Sequence, residues 1–345
     1  MTNKITRTEL ATIFKTMRIN HPRIDNLAVE CEGARRSSRI APHESKGWME
    51  MFAVSGSGKS HAVKVYIEKY VVPNVIAEGL FPATMPPSEI ARRQVKVMHV
   101  TLNEKANRES LFTDVLLRLG ADVTPNAKIG TLRRQLYSYL RGENDPINNP
   151  EQKRPCELLI LDEIQHLSEG AMRQIAGRST KTYESTGTTV TDALKFMMIE
   201  GMVPILFVGV PEASIHLSVD KQLKTRHNLT INFEPLKWSS DADAALFTNY
   251  CGKLGIMVHR HGLLPNVSNL LANDIPHRLW AASGGLIGLA TRLVEEAVYH
   301  AWEAGKNEIG VDELAMAVDT RGIPQDYCIY NPFREGVIPS NDGHD

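Results

Sequence analysis

Hydrophobic positions along this chain alternate between two periods. Short apolar runs of the buried-strand kind occur at 48–54 (WMEMFAV), 95–102 (VKVMHVTL), 156–162 (CELLILD), 203–210 (VPILFVGV) and 228–236 (NLTINFEPL). Between them apolar residues recur every three to four positions, which predicts helices over 61–72, 109–119, 130–141 and 192–200. Strands alternating with helices predict a parallel sheet covered on both faces. After Trp238 the strand patterns stop, and helical patterns at 240–254, 266–282, 286–304 and 311–319 predict a small all-helical domain. Prolines 73, 82, 86 and 87 mark a loop, and residues 142–155 (GENDPINNPEQKRP) form a polar break. Residues 179–191 (STKTYESTGTTVT) read as a mobile loop; a threonine-rich edge strand is the alternative, weakened by Gly187. Residues 1–47 are polar and slightly basic, and the stretch from Ile323 onward has turn residues without a period and reads as a tail. There is no internal repeat, which excludes solenoids and propellers.

Composition narrows the class. The 345 residues are 42% hydrophobic and 23% charged, ordinary globular usage that suggests two domains and excludes a disordered or collagen-like chain. Lysine plus arginine (39) nearly cancels aspartate plus glutamate (40), so any basic surface has to be local. Cys31, Cys156, Cys251 and Cys328 lie far apart with no CxxC pair, which points to neither a disulfide framework nor a zinc ribbon and favours a reducing compartment. The start, MTNKITRTEL, lacks a signal peptide's apolar stretch, and the longest apolar run, Met202 to Val210, is under half a bilayer span. The expectation is a soluble, cytoplasmic protein.

The strongest chemical signal is Ala53-Val54-Ser55-Gly56-Ser57-Gly58-Lys59-Ser60, between a predicted strand and a helix. Small residues let a tight turn aim backbone N–H groups at phosphate oxygens, and the following helix adds the positive end of its dipole. In such a loop Lys59 reaches the β- and γ-phosphates and the Ser60 hydroxyl binds Mg²⁺, with Ser55, Gly56, Ser57, Gly58 and His61 completing the cradle. The usual pattern opens with glycine; Ala53 holds that place here. A second signal, LLILD ending at Asp162-Glu163, is a buried-strand run whose carboxyl end carries two carboxylates. Asp162 is placed to hold Mg²⁺ with Ser60, and Glu163 to polarise the attacking water. Gln165 and His166 follow on the next turn, either tuning the site or merely starting a polar helix.

A phosphate loop, an LILDE strand, a further strand before a glycine, a late arginine and a helical lid together resemble the AAA+ ATPases. LLILDEIQHL (158–167), TDALKFMMIEGMVPILFVGVPEA (191–213) and ASGGLIGLATRLVEEA (282–297) are similar to the TnsC/TniB family of transposition-regulator ATPases, and the tail's NPF (331–333) fits the versions in elements that use CRISPR-guided targeting. The resemblance implies a parallel five-stranded AAA+ P-loop core at 48–237, a helical lid at 238–320, a basic N-terminal segment at 1–47 and a partner-docking tail at 321–345. It implies an ATPase, with ATP and Mg²⁺, that assembles as a ring or helical filament on double-stranded DNA. Such a protein links a target-selection protein or CRISPR targeting complex to transposase subunits, and hydrolysis releases it.

Carried over residue by residue, the family's trans-acting arginine finger falls on Arg226 in KQLKTR, with Lys224 as the neighbouring alternative. Its polar sensor at the tip of the fourth strand falls on Val210, which cannot hydrogen-bond through its side chain; slow hydrolysis suits that departure. The second-sensor arginine falls on Gly288, after the Gly284-Gly285 turn, and Arg292 one turn later is the substitute. The DNA-facing stripe falls on Lys105, Arg108, Thr124, Lys128, Arg133 and Arg134, which would hold phosphates without reading sequence. For each of these, a solvated helix position is the plain alternative.

Other features carry less. Arg35, Arg36 and Arg39 face either DNA or a neighbouring subunit, or only solvent. His259 and His261 have no acidic or cysteine neighbour for a metal. Asn228 and Asn266 begin glycosylation sequons that a cytoplasmic chain never uses, and FMMIEGM (196–202) reads as core filling. Two other functions remain open: an AAA+ helicase loader or replication initiator, disfavoured by the lack of a DNA-reading domain after 320, and a small-molecule P-loop kinase.

Overall fold

The computed structural model describes residues 5–104, 106–143, 155–166, 189–214, 217 and 221–338. Lys105, the polar stretch 144–154, residues 179–188 of the serine/threonine-rich stretch and the last seven tail residues lie outside the described residues.

The chain separates into two compact units. One comprises residues 23–54 and 59–233 and is built on five parallel strands in the order β2-β3-β4-β1-β5. These are β1 (Trp48–Phe52), β2 (Val97–Thr101), β3 (Leu158–Asp162), β4 (Ile205–Gly209) and β5 (His227–Thr230), one in each of the five predicted runs. The contiguous apolar runs of β3 and β4 follow from burial on both faces, because successive side chains point to opposite sides; β5 at the sheet edge is exposed. Leu159 and Leu161 of β3 pack with Ile205 and Phe207 of β4 in one core cluster. Leu158 and Ile160 pack with Leu206 and Val208 in the other.

Helices cover each face. The first cluster is closed by α6 (Arg108–Arg118), α7 (Ile129–Arg141) and α8 (Thr189–Ile199), and the second by α2 (Pro22–Ile40), α3 (Lys59–Tyr66) and α4 (Val72–Ala77). α3 and α4 are joined by a π turn at Ile67–Val71, so the helix runs through Pro73 where the sequence suggested a loop. A proline ring inside a regular helix collides with the carbonyl four residues earlier, and the widened turn relieves that collision. The proline-rich stretch also contains α5 (Pro87–Arg93), and the short α9 (Lys221–Lys224) precedes β5. Met197, Met198 and Met202 are buried as core filling, but their neighbour Phe196 is exposed.

The other unit comprises residues up to Pro22, Ser55–Gly58 and residues from Glu234 on. It holds α1 (Arg7–Thr16), α10 (Asp241–Arg260), α11 (Ile275–Ser283), α12 (Ile287–Glu303), α13 (Val311–Ala317) and α14 (Pro332–Glu335) around one core. The helix expected over 266–282 is confined to α11. Upstream of it short polar side chains bind backbone instead: Leu271 N–H donates to Asn269 Oδ1 (3.2 Å) and Ile309 N–H to Ser268 Oγ (2.9 Å).

Three sequence expectations do not hold. The first 47 residues are not a separate basic segment: Leu10 and Phe14 of α1 enter one core, and Ile24, Leu27 and Cys31 of α2 enter another. Arg35 faces neither DNA nor solvent. It lies on the buried stripe of α2, 1% exposed, with Nε and Nη2 2.9 and 2.7 Å from Glu157 Oε2 and Nη1 bonded to Glu32. Arg36 and Arg39 are exposed. The NPF motif is also not a free docking peptide. Phe333 is buried in the helical core, and Asn331 donates to Ala315 O (2.8 Å) while its Oδ1 accepts the Phe333 N–H (3.0 Å).

Removing one partner of a buried ion pair strands the other, at ~3–5 kcal/mol. Arg35→Ala should fall at the low end of that range, because Lys96 remains 3.4 Å from Glu157. Urea denaturation of the full chain measures this; Arg36→Ala should stay within ~0.5 kcal/mol of wild type.

Candidate nucleotide site

The site begins where β1 ends. Ala53 is buried and its N–H donates to Gly209 O at the end of β4 (3.1 Å), so the place where the phosphate-loop pattern usually has glycine is filled by a methyl in the strand layer. Gly56 (φ +84°) and Gly58 (φ +91°) have backbone conformations that only glycine takes without strain. Ser57 between them is buried, and its Oγ has no hydrogen-bond partner among the described residues. An orphaned buried hydroxyl in a glycine turn before a helix fits an anionic oxygen ligand. At the start of α3, Lys59 donates from Nζ to the carbonyls of Ala53 and Val54, the latter at 3.0 Å. Burial lowers its ammonium pKa, and the carboxylates of Asp162 and Glu163 oppose that shift. His61 is half-buried on the same turn.

β3 delivers the acidic half. Asp162 is 2% exposed and makes three polar contacts: His99 Nε2 at 3.0 Å, the Glu163 N–H at 2.9 Å and the Ser60 hydroxyl. Burial alone would raise its pKa; His99, Ser60 and the Glu163 amide outweigh it, and the net shift is downward. Ser60 and Asp162, the expected Mg²⁺ pair, are thus brought together. Glu163 is half-buried with φ +59°, turning the chain off the end of β3. Its carboxylate accepts from Gln165 Nε2. Sequence reasoning missed His99; the available signal was a single imidazole inside the apolar run VKVMHVTL, beside the strand that ends in two carboxylates.

In the helical unit, Gly288 N–H donates to Gly56 O (2.9 Å), and a Cβ on Gly288 would lie 2.5 Å from that oxygen. A side chain at Gly288 would therefore displace the glycine turn. Leu289 packs on Gly56, where an added Cβ would meet its Cδ2 at 2.9 Å. Arg292 is exposed one turn further on.

Arg226 follows α9, half-buried, its carbonyl accepting the N–H of Trp48, the first residue of β1 (3.0 Å). It therefore stands at the opposite end of β1 from the phosphate loop, while Lys224 is exposed. Among the basic candidates, Arg108 opens α6 half-buried, whereas Thr124, Lys128, Arg133 and Arg134 are exposed on α7 and the segment before it. The opposite face of α7 buries Leu132, Leu136, Tyr137 and Leu140. On that buried face Tyr137 stacks on Phe196 (ring centroids 5.1 Å apart), which is exposed although the sequence reading counted it as core filling.

Two outcomes follow from this geometry. Gly288→Ala should destabilise the chain by about 1–3 kcal/mol in thermal or urea denaturation, since the obstructing atom is backbone. Asp162 has a folded pKa below its unfolded one, so its contribution is complete above the unfolded value, about 4, and fades as pH falls through the folded value. The stability difference between wild type and Asp162→Asn should therefore shift against wild type as pH drops below about 4, and urea midpoints across pH measure it.

Comparison with known proteins agrees with this architecture. Residues 43–214 match the family described as an AAA domain. The Aeropyrum pernix ORC2 protein in its ADP form superposes with a TM-score of 0.55 and 13% identity, over 95% of this chain and 74% of that one. Cdc6p from Pyrobaculum aerophilum gives 0.56 and 11% over 90% and 70%. The Aeropyrum pernix ORC1 protein in complex with DNA gives 0.55 and 12% over 89% and 68%. No curated protein matches the sequence. The chain carries an AAA domain on the fold of the AAA+ P-loop ATPases.

Proposed function

We propose that this protein is an ATP-dependent regulator of DNA transposition. It binds and hydrolyses ATP, assembles with copies of itself on double-stranded DNA and links a target-selection module to transposase subunits. The observation that carries the ATPase part is the cluster at the end of β3. Asp162 is held ionised beside Ser60, and Glu163 stands next to it on a turn that projects from the sheet. The backbone of Ser55–Gly58 and Lys59 would bind the phosphates, and Ser60 with Asp162 would hold Mg²⁺. When bound, Mg²⁺ neutralises phosphate charge. Glu163 orients the attacking water and takes its proton; positioning and charge stabilisation supply most of the catalysis in phosphoryl transfer.

Assembly enters through Arg226. β1 rises about 3.3 Å per residue, and an arginine anchored at its start is separated from its own phosphate loop by the strand's length. A phosphate it reaches belongs to another copy, so hydrolysis depends on assembly. The DNA part is supported by Arg133 and Arg134, exposed on α7, and by Lys128, exposed just before it, and the transposition part by the similarity of 158–167, 191–213 and 282–297 to the TnsC/TniB regulators. A second reading, a replication initiator or helicase loader, is supported by the likeness to ORC and Cdc6 proteins, among them one solved in complex with DNA.

Electron microscopy and ATPase assays with duplex DNA test this. Wild type should form ATP-dependent rings or filaments on DNA of arbitrary sequence and recruit a transposase subunit; binding confined to one origin-like sequence supports the initiator, and a monomer that phosphorylates a metabolite removes both. Glu163→Gln should bind ATP, hydrolyse at least about a hundredfold more slowly and accumulate on DNA. Arg226→Ala should bind ATP normally but lose DNA-stimulated hydrolysis; normal turnover in that variant removes it as the finger.

A further inference from the structure

A carboxylate that orients water works only when its own position is fixed, and a glutamate on a turn has three rotatable side-chain bonds. Displacement of a reacting group by about 1 Å costs on the order of a hundredfold in rate. In AAA+ folds the polar group expected beside the phosphates at the tip of the fourth strand falls here on Val210, whose side chain has nothing to offer. The structure places a different side chain there.

Gln165 sits in a 3-10 turn, Ile164–His166, directly after Glu163. Ile164 is fully buried in the core, and His166 N–H donates to Glu163 O (2.9 Å), so the turn is pinned on both sides of Gln165. The left-handed conformation of Glu163 reverses the chain and brings its carboxylate back onto the Gln165 amide, which donates from Nε2 to Oε2. The other end of that amide reaches β4: Oε1 accepts the N–H of Val210 at 3.4 Å. β4 is shaped to admit it. A Cβ on Gly209 would stand 2.9 Å from Gln165 Oε1 and 2.7 Å from Ile164 Cγ2. One side chain therefore ties the carboxylate beyond β3 to the backbone at the tip of β4, through a gap that only glycine leaves open.

We propose that Gln165 is the positioning residue for Glu163 in ATP hydrolysis, its amide supplying at the tip of β4 the polar group that Val210 lacks. The inference rests on the ATPase reading above. Gln165 donates one N–H to the carboxylate and fixes the oxygen that accepts the water's proton, and its own orientation is set by Val210 N–H. Nucleotide binding does not pass through it, because the groups that hold phosphate and Mg²⁺ are Lys59, Ser60, Asp162 and the loop backbone.

The test uses the full-length protein with ATP, Mg²⁺ and duplex DNA. Gln165→Leu keeps side-chain bulk but removes the amide, and Gln165→Ala removes both. A fluorescent ATP analogue measures affinity, and steady-state hydrolysis at saturating ATP measures kcat. Both variants should bind the analogue within about twofold of wild type and lose at least about tenfold in kcat. In a Glu163→Gln background, Gln165→Leu should add no further loss, since it acts through the replaced carboxylate. Turnover at or above the wild-type rate overturns the proposal and, if faster, makes Gln165 a restraint on Glu163; an equal additional loss without the carboxylate assigns it a structural role. If wild type itself hydrolyses no ATP, the ATPase reading fails and this inference falls with it.

Discussion

Parallel strands that end together at one edge of a sheet are the constraint on which this molecule's chemistry depends. Each strand of such a sheet delivers its next residue to the same crevice. Here β1 opens into the glycine turn, β3 into Asp162-Glu163 and β4 into Gly209-Val210. Negative charge is gathered beside Lys59 before any ligand arrives: Asp162 is buried and ionised because His99, Ser60 and a backbone N–H hold it so. A carboxylate buried without such donors would take up a proton and lose its value as a cation ligand.

Close approach of a second element accounts for two glycines. Gly209 leaves room for the Gln165 amide, and Gly288 lets the first turn of α12 bond to Gly56 O. Each marks a place where a second element must approach backbone closely. At Gly288 and Leu289 the glycine turn is held within the helical unit by one backbone hydrogen bond and one side-chain contact.

Most of this was legible in the sequence because it follows from local period and local chemistry. Four of the apolar runs became strands that bury most of their side chains, as contiguous apolar residues do in a sheet covered on both faces, whereas the fifth yielded only the short, exposed edge strand β5. GSGKS and LILDE became a glycine turn and a strand-end acidic pair because those shapes are dictated within a few residues. What escaped was long-range. Arg35 read as a surface charge, since nothing near it in sequence announces Glu157, more than a hundred residues away, as its buried partner. Asn331-Pro332-Phe333 read as a tail because one phenylalanine makes no periodic pattern, although it closes the helical core. His99 was hidden inside a strand run, and Phe196 in a methionine-rich helix whose neighbours are buried. The helix expected across 266–282 failed for the opposite reason: Ser268 and Asn269 spend their side chains on backbone groups, which a periodicity count does not register.

The central claim is that the glycine turn and the acidic end of β3 hold a magnesium-bound adenine nucleotide. Calorimetric titration of the purified full-length protein with ATP, with and without Mg²⁺, tests it most directly. Saturable binding of one nucleotide per chain, weakened when Mg²⁺ is withheld, is the result this account predicts. Absence of heat and of competition by ADP at millimolar nucleotide, from protein that is folded by circular dichroism, would contradict it.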